Sequence, residues 1–151
     1  MQGEFILRSC FEDKDGNKFN YHEFGENVYG HSSCYQKIFG TKLKYTNREK
    51  RYIKISSVGG KISIYRILRG VPSGISSKSS ILYINGDGKN ILEEQCKSKT
   101  DDSSVVLIIK PVSSLRYFWC SSNVYNRISF QVALCSLILS TLSIIFSLTF
   151  L

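Results

Sequence analysis

The sequence predicts an all-β domain, a small antiparallel sandwich or barrel of about eight to ten short strands, followed by one C-terminal hydrophobic membrane helix. Three observations carry this reading. Residues 130–151 (FQVALCSLILSTLSIIFSLTFL) contain no Asp, Glu, Lys, Arg or His. At about 1.5 Å per helical residue they reach roughly 33 Å, enough to cross a hydrocarbon core of about 30 Å. Ahead of them, short runs rich in Ile, Val, Tyr and Phe alternate with glycine-containing turns, the pattern of strands in an antiparallel sheet. No stretch before the tail holds a long 3.6-residue period. The chain divides into a β-rich domain over 1–120, a polar juxtamembrane linker over 121–129 and the hydrophobic segment 130–151.

In order, residues 4–11 form a first strand, and Asp15-Gly16 turns the chain into a return strand over 19–24, because Asp-Gly between apolar runs is a hairpin signal. Residues 34–39 read as a further strand between Gly30 and Gly40. Residues 42–45 and 51–56 flank a polar turn. The clearest hairpin joins Tyr52-Ile53-Lys54-Ile55-Ser56 to Lys61-Ile62-Ser63-Ile64-Tyr65-Arg66-Ile67 through Val58-Gly59-Gly60. Its alternation places the isoleucines on a core face and Lys54, Lys61 and Arg66 on a water face. Residues 70–80 are a loop. Residues 81–84 and 91–95 are strands closed by Asn85-Gly86-Asp87-Gly88, 105–109 is a central buried strand, and 115–120 pairs with it.

Charge is concentrated. Residues 42–69 hold nine basic side chains (Lys42, Lys44, Arg48, Lys50, Arg51, Lys54, Lys61, Arg66, Arg69) against Glu49, a surplus of +8 that equals the net charge of the whole chain. Set against a merely solvated strand face, such a block suits phosphate, sulfate or lipid headgroups. The partners expected are therefore a membrane and an anionic glycan, an anionic lipid or another membrane protein. The aromatic and basic run KLKYTNREKRY would suit a nucleic-acid strand, but nucleic acid ranks below lipid and glycan for a membrane-tethered domain.

Four cysteines precede the tail: Cys10, Cys34, Cys96 and Cys120. Pairing Cys10 with Cys34 and Cys96 with Cys120 would staple neighbouring strands in an oxidising compartment, and four reduced thiols are the competing reading. No metal is expected. Cys10, His22, His31 and Cys34 lack the close Cys pair of a structural zinc site. Asp13-x-Asp15-x-Asn17 opens like a calcium loop but continues with Lys18 where glycine is needed and Phe24 where glutamate is needed. Asn85-x-Asp87-x-Lys89 puts a cation at a ligand position. With two histidines, no nucleophile elbow and no phosphate-binding loop, the sequence predicts no enzyme and no cofactor.

The tail admits two fates. Ser121, Ser122 and Asn123 followed by a short polar spacer and a hydrophobic end match the order of a glycolipid-anchor signal, which favours the cell surface. The opening residues lack the pattern of a secretory leader, and Lys110, Arg116 and Arg127 lie just ahead of the tail, which suits a tail anchor facing the cytosol. Ser136, Ser140, Ser143 and Ser147 share one helical face that would allow close helix–helix approach. The function expected is non-catalytic binding or adhesion at a membrane surface through the 42–69 face; the alternative is an accessory subunit of a membrane complex held by its single helix.

Overall fold

The computed structural model describes residues 1–12, 16, 18–19, 25–40, 51–58, 62–72, 75, 77–96, 104–121 and 123–149, with the backbone alone at 12, 19, 95 and 96. Asp13, Asp15, Asn17, His22, Lys42, Lys44, Arg48, Lys50, Lys61 and Ser122 lie outside them, as does the side chain of Cys96.

Among the described residues eight strands and four helices follow one another: β1 (Gln2–Arg8), β2 (Phe11–Glu12), β3 (Lys18–Phe19), β4 (Asn27–Gly30), α1 (Ser32–Phe39), β5 (Arg51–Ser57), β6 (Ser63–Gly70), β7 (Ile81–Tyr83), α2 (Gly86–Cys96), β8 (Val105–Pro111), α3 (Ser114–Cys120) and α4 (Val124–Thr149). Six of the strands close a barrel in the order β1-β7-β4-β6-β5-β8. The β5–β6 hairpin pairs as its alternation requires, Ile55 opposite Ile64, and β8 closes on β5 with Ile109 opposite Ile55. Two neighbours, β1–β7 and β4–β6, are parallel. The domain is therefore a barrel of mixed pairing with helices added, and not a purely antiparallel all-β sandwich.

The interior follows from period two. Phe5 and Leu7 of β1, Ile53 and Ile55 of β5, Ile64 and Leu68 of β6, and Val105, Leu107 and Ile109 of β8 all point inward and are buried. Each such side chain contributes about 1.5–3 kcal/mol by leaving water. Closure also removes the exposed strand edges that invite aggregation. On the outside of β1, β7 and β4, Phe11 packs on Ile81 and Tyr83, so the two-stranded β2–β3 ribbon covers that wall.

Three segments expected as strands are helices. Residues 34–39 belong to α1, where His31 accepts a hydrogen bond from the Ser33 N–H and Gly40, at φ +70°, sends its own N–H to the Gln36 carbonyl. Cys34, Tyr35 and Ile38 form its buried face against the barrel core, a helical spacing that the short run concealed. Residues 91–95 belong to α2, which begins at the Gly86-Asp87-Gly88 stretch expected to be a turn. Its Leu92 enters the core, and Gly88 sits where a Cβ would meet Ile84 and Asn85 at 2.8 Å. Residues 115–120 are α3, capped by the Ser113 hydroxyl accepting from the Arg116 N–H.

The expected disulfides do not form: Cys10, Cys34 and Cys120 carry free thiols. Cys34 faces the core from α1, which commits it to packing instead of bridging. Burial pushes its thiol up to about 11, so it is a protonated, inert group at neutral pH.

Candidate functional site

The last helix and its seat on the barrel define the most distinctive region. α4 is the one helix among the described residues that is long and apolar enough to cross a membrane, and none of its span is buried by the rest of the protein. It begins at Val124, so residues 124–129, expected in a polar linker, already belong to the helix. Asn123 caps it, its side-chain oxygen accepting from the N–H groups of Tyr125 and Asn126.

Glu26, at the entry to β4, ties this helix to the barrel. One carboxylate oxygen accepts from the Ser121 hydroxyl and from the Asn123 N–H at 3.2 Å. The other accepts from the Tyr117 hydroxyl and from the Asn126 side-chain amide at 3.2 Å. One acidic group thus gathers donors from α3, from the turn after it and from the first turn of α4. Aromatic packing reinforces the joint. Tyr52 of β5 lies against Tyr117 and Phe118, and Phe118 stacks on Phe130 of α4 with ring centroids 5.8 Å apart. Burial, and then the hydrogen bond to Glu26, hold the Tyr117 hydroxyl well above the usual phenol range.

The basic block is only partly a surface. Arg66 lies opposite Ile53 in the hairpin register, on the inner face, and is 4 % exposed. Its guanidinium donates to the Tyr65 carbonyl at 2.9 Å. Burial lowers its pKa, while the negative charge of Glu26 acts in the opposite direction. The expectation of a water-facing Arg66 fails by one step of parity: Ile64, Arg66 and Leu68 share the inner face, and Ile67 is the outer residue. Arg51 sits with its guanidinium 5.5 Å from the centre of the Phe39 ring. Arg69 is exposed and donates to the Asn27 side chain at 2.9 Å. Lys54 remains on the outer wall, directly opposite Lys110 of β8. Among the described residues no acidic side chain pairs with either lysine, and like charges set directly across a strand pair repel.

The lysine pair lies close to the joint. Lys54 is two residues from Tyr52, the residue that α3 covers, and so projects from the same outer face. Of the glycolipid-anchor candidates, Ser121 is buried and bound to Glu26, and Asn123 caps α4. Along α4, the hydroxyls of Ser140, Ser143 and Ser147 donate to carbonyls four residues earlier, at 2.8, 3.0 and 2.9 Å. Three of the four serines of the stripe are thereby satisfied within their own helix, as an apolar solvent demands. Sequence reasoning missed Glu26 entirely, because nothing in Gly25-Glu26-Asn27 marks a carboxylate that meets residues about ninety positions later.

A scan against protein-family models finds no match to this chain, and a search of curated proteins finds no similar sequence.

Proposed function

We propose that the protein is a non-catalytic membrane-surface binding module, a β-barrel held against a bilayer by α4 and presenting a basic wall to anionic lipid headgroups. The observation that carries this reading is the Lys54–Lys110 pair: two like charges in register on the outer wall, one strand step from the α3 seat and on the side of the barrel to which α4 is tied. An anionic group lying across both lysines would relieve their repulsion. Arg116 on α3 and Arg127 on the first turns of α4 are exposed nearby in sequence and add to the same basic collar. Of the two orientations, the cytosol-facing one draws support from this collar, since Lys and Arg flanking a spanning helix favour the cytoplasmic side. It draws further support from the packing of Ser121 and Asn123 onto Glu26, which leaves no free spacer at those positions.

The test is lipid retention. The full chain is extracted in mild detergent and analysed by native mass spectrometry against a mixture of zwitterionic and anionic lipids. Wild type is expected to keep anionic lipid selectively, and Lys54→Glu with Lys110→Glu to lose that preference at least several-fold. Equal retention by both proteins would sink the proposal, and retention of heparin in place of lipid would move the partner to a sulfated glycan.

A further inference from the structure

α3 shows two faces. Tyr117 faces the barrel and is buried against Tyr52 on its outer wall, while Leu115 and Trp119, two positions on either side, point away from it and are 66 % and 51 % exposed. An i, i+4 pair lies on one helical face, so these two side chains form a single apolar strip. The first turns of α4 repeat the arrangement. Asn126 and Phe130 turn toward the barrel and α3, whereas Val124, Tyr125 and Ile128 fall on the opposite side and are exposed. Two short amphipathic surfaces therefore meet at the joint, and both direct their apolar faces outward.

The height of Trp119 is fixed. Its ring meets Phe130 edge to face at a centroid distance of 6.4 Å. Phe130 begins the stretch without charge, and Arg127 is the last charged residue before it. From Phe130 to Thr149, the end of α4, the helix covers roughly 30 Å, about one hydrocarbon core. Trp119 thus stands level with the boundary where the hydrocarbon would begin, the depth at which Trp and Tyr concentrate because one end of the ring is apolar and the other polar. Arg116 beside it on α3 is exposed and long enough to reach phosphate while its stem stays in the apolar zone.

We infer that α3 and the first turn of α4 form an interfacial foot, with Leu115 and Trp119 seated in the bilayer at the headgroup–acyl boundary. The occupant of this apolar face is lipid, and the argument is continuity: the strip runs directly into the surface of α4. The inference rests on the reading that α4 spans a bilayer and adds where the barrel stands relative to it. Because Glu26 binds donors from α3, the turn and α4 together, the foot fixes the barrel flat against the surface instead of letting it hang from a linker.

Trp119 is the one tryptophan in the chain, so native fluorescence reports on it alone. The full chain is reconstituted into phosphatidylcholine–phosphatidylglycerol vesicles carrying lipids brominated either near the headgroup end or near the chain terminus. The indole is expected to be quenched several-fold more by the shallow bromines than by the deep ones and to be shielded from iodide. A companion variant, Trp119→Phe with Leu139→Trp, places the indole midway along α4 and is expected to show the reverse order. If the companion is quenched by deep bromines while Trp119 is reached by iodide and not by bromolipid, the foot is wrong and the spanning helix stands. If Trp119 is shielded from iodide and from both bromolipids, protein and not lipid covers the strip, and the foot is again wrong. If iodide reaches the companion's indole, the spanning helix itself fails, and the foot with it.

Discussion

Cys34 and Tyr117 carry protons that the fold will not release easily. Cys34 is raised to about 11 by burial from an ordinary 9.0, and Tyr117 is raised from 10.0 by burial and by its bond to Glu26. A group with a higher pKa in the folded state stays protonated there while the unfolded chain ionises. Its contribution is complete below the unfolded pKa and is lost as pH climbs toward the folded value. Stability is therefore expected to hold from neutral pH to about 9 and then fall, first through Cys34 and above 10 also through Tyr117. Denaturant midpoints measured from pH 7 upward test this. Cys34→Ala flattens the first part of the decline and Tyr117→Phe the second; a slope that neither variant alters contradicts the assignment. Arg66 shows the limit of reading residues by pattern. An arginine among Ile, Ser and Tyr looks water-facing, yet counting strictly by two from the buried Ile64 puts it inside. The apolar Ile67 drew the count off by one, and a one-residue slip exchanges the two faces of a strand.

Between elements, the decisive contact is Glu26 with α3 and α4. Removing its carboxylate leaves the buried Tyr117 and Ser121 hydroxyls without that acceptor and deprives Arg66 of the negative charge beside it. Unsatisfied buried polar groups cost about 1–3 kcal/mol each, so Glu26→Ala is expected to lower barrel stability by about 3 kcal/mol. Glu26→Gln, which keeps an acceptor oxygen, is expected to lose less. Thermal unfolding of the full chain in detergent checks both, and an unchanged midpoint in Glu26→Ala would mean that the joint is incidental. The strands were legible where two-residue alternation ran uninterrupted, as in β5 with β6, and where an apolar run was too short for a helix, as in β8. The three short helices α1, α2 and α3 were not. α1 is eight residues long, too brief for its spacing to stand out from aromatic and thiol residues that also favour strands. α2 opens with Gly86-Asp87-Gly88 just after Asn85, a stretch whose turn chemistry is common to hairpins and helix starts; tertiary packing of Leu92 and the space that Gly88 leaves for Ile84 decide between them. α3 carries β-favouring aromatics whose helical placement serves the seat on Tyr52.

At the scale of the whole molecule, a closed barrel presents different walls to its surroundings. The β2–β3 ribbon covers one, α3 covers another, and the wall over β5 and β8 leaves Lys54 and Lys110 side by side. The long apolar helix was legible from residue 130 onward, because hydropathy over twenty residues needs no tertiary context, whereas its first turns over 124–129 read as a linker. The joint was not legible, because it depends on Glu26 meeting side chains from the far end of the chain, a contact with no local signature. The central claim is that α4 lies within a bilayer while the barrel stands outside it. The free thiols of Cys135 in α4 and Cys10 in the barrel domain offer a direct measurement, labelling by a charged maleimide in lipid nanodiscs, whose two faces are both open to solvent. The account predicts that Cys10 reacts while Cys135 stays unmodified until the discs are dissolved and the protein denatured. Labelling of Cys135 in intact discs at the rate of Cys10 would contradict it.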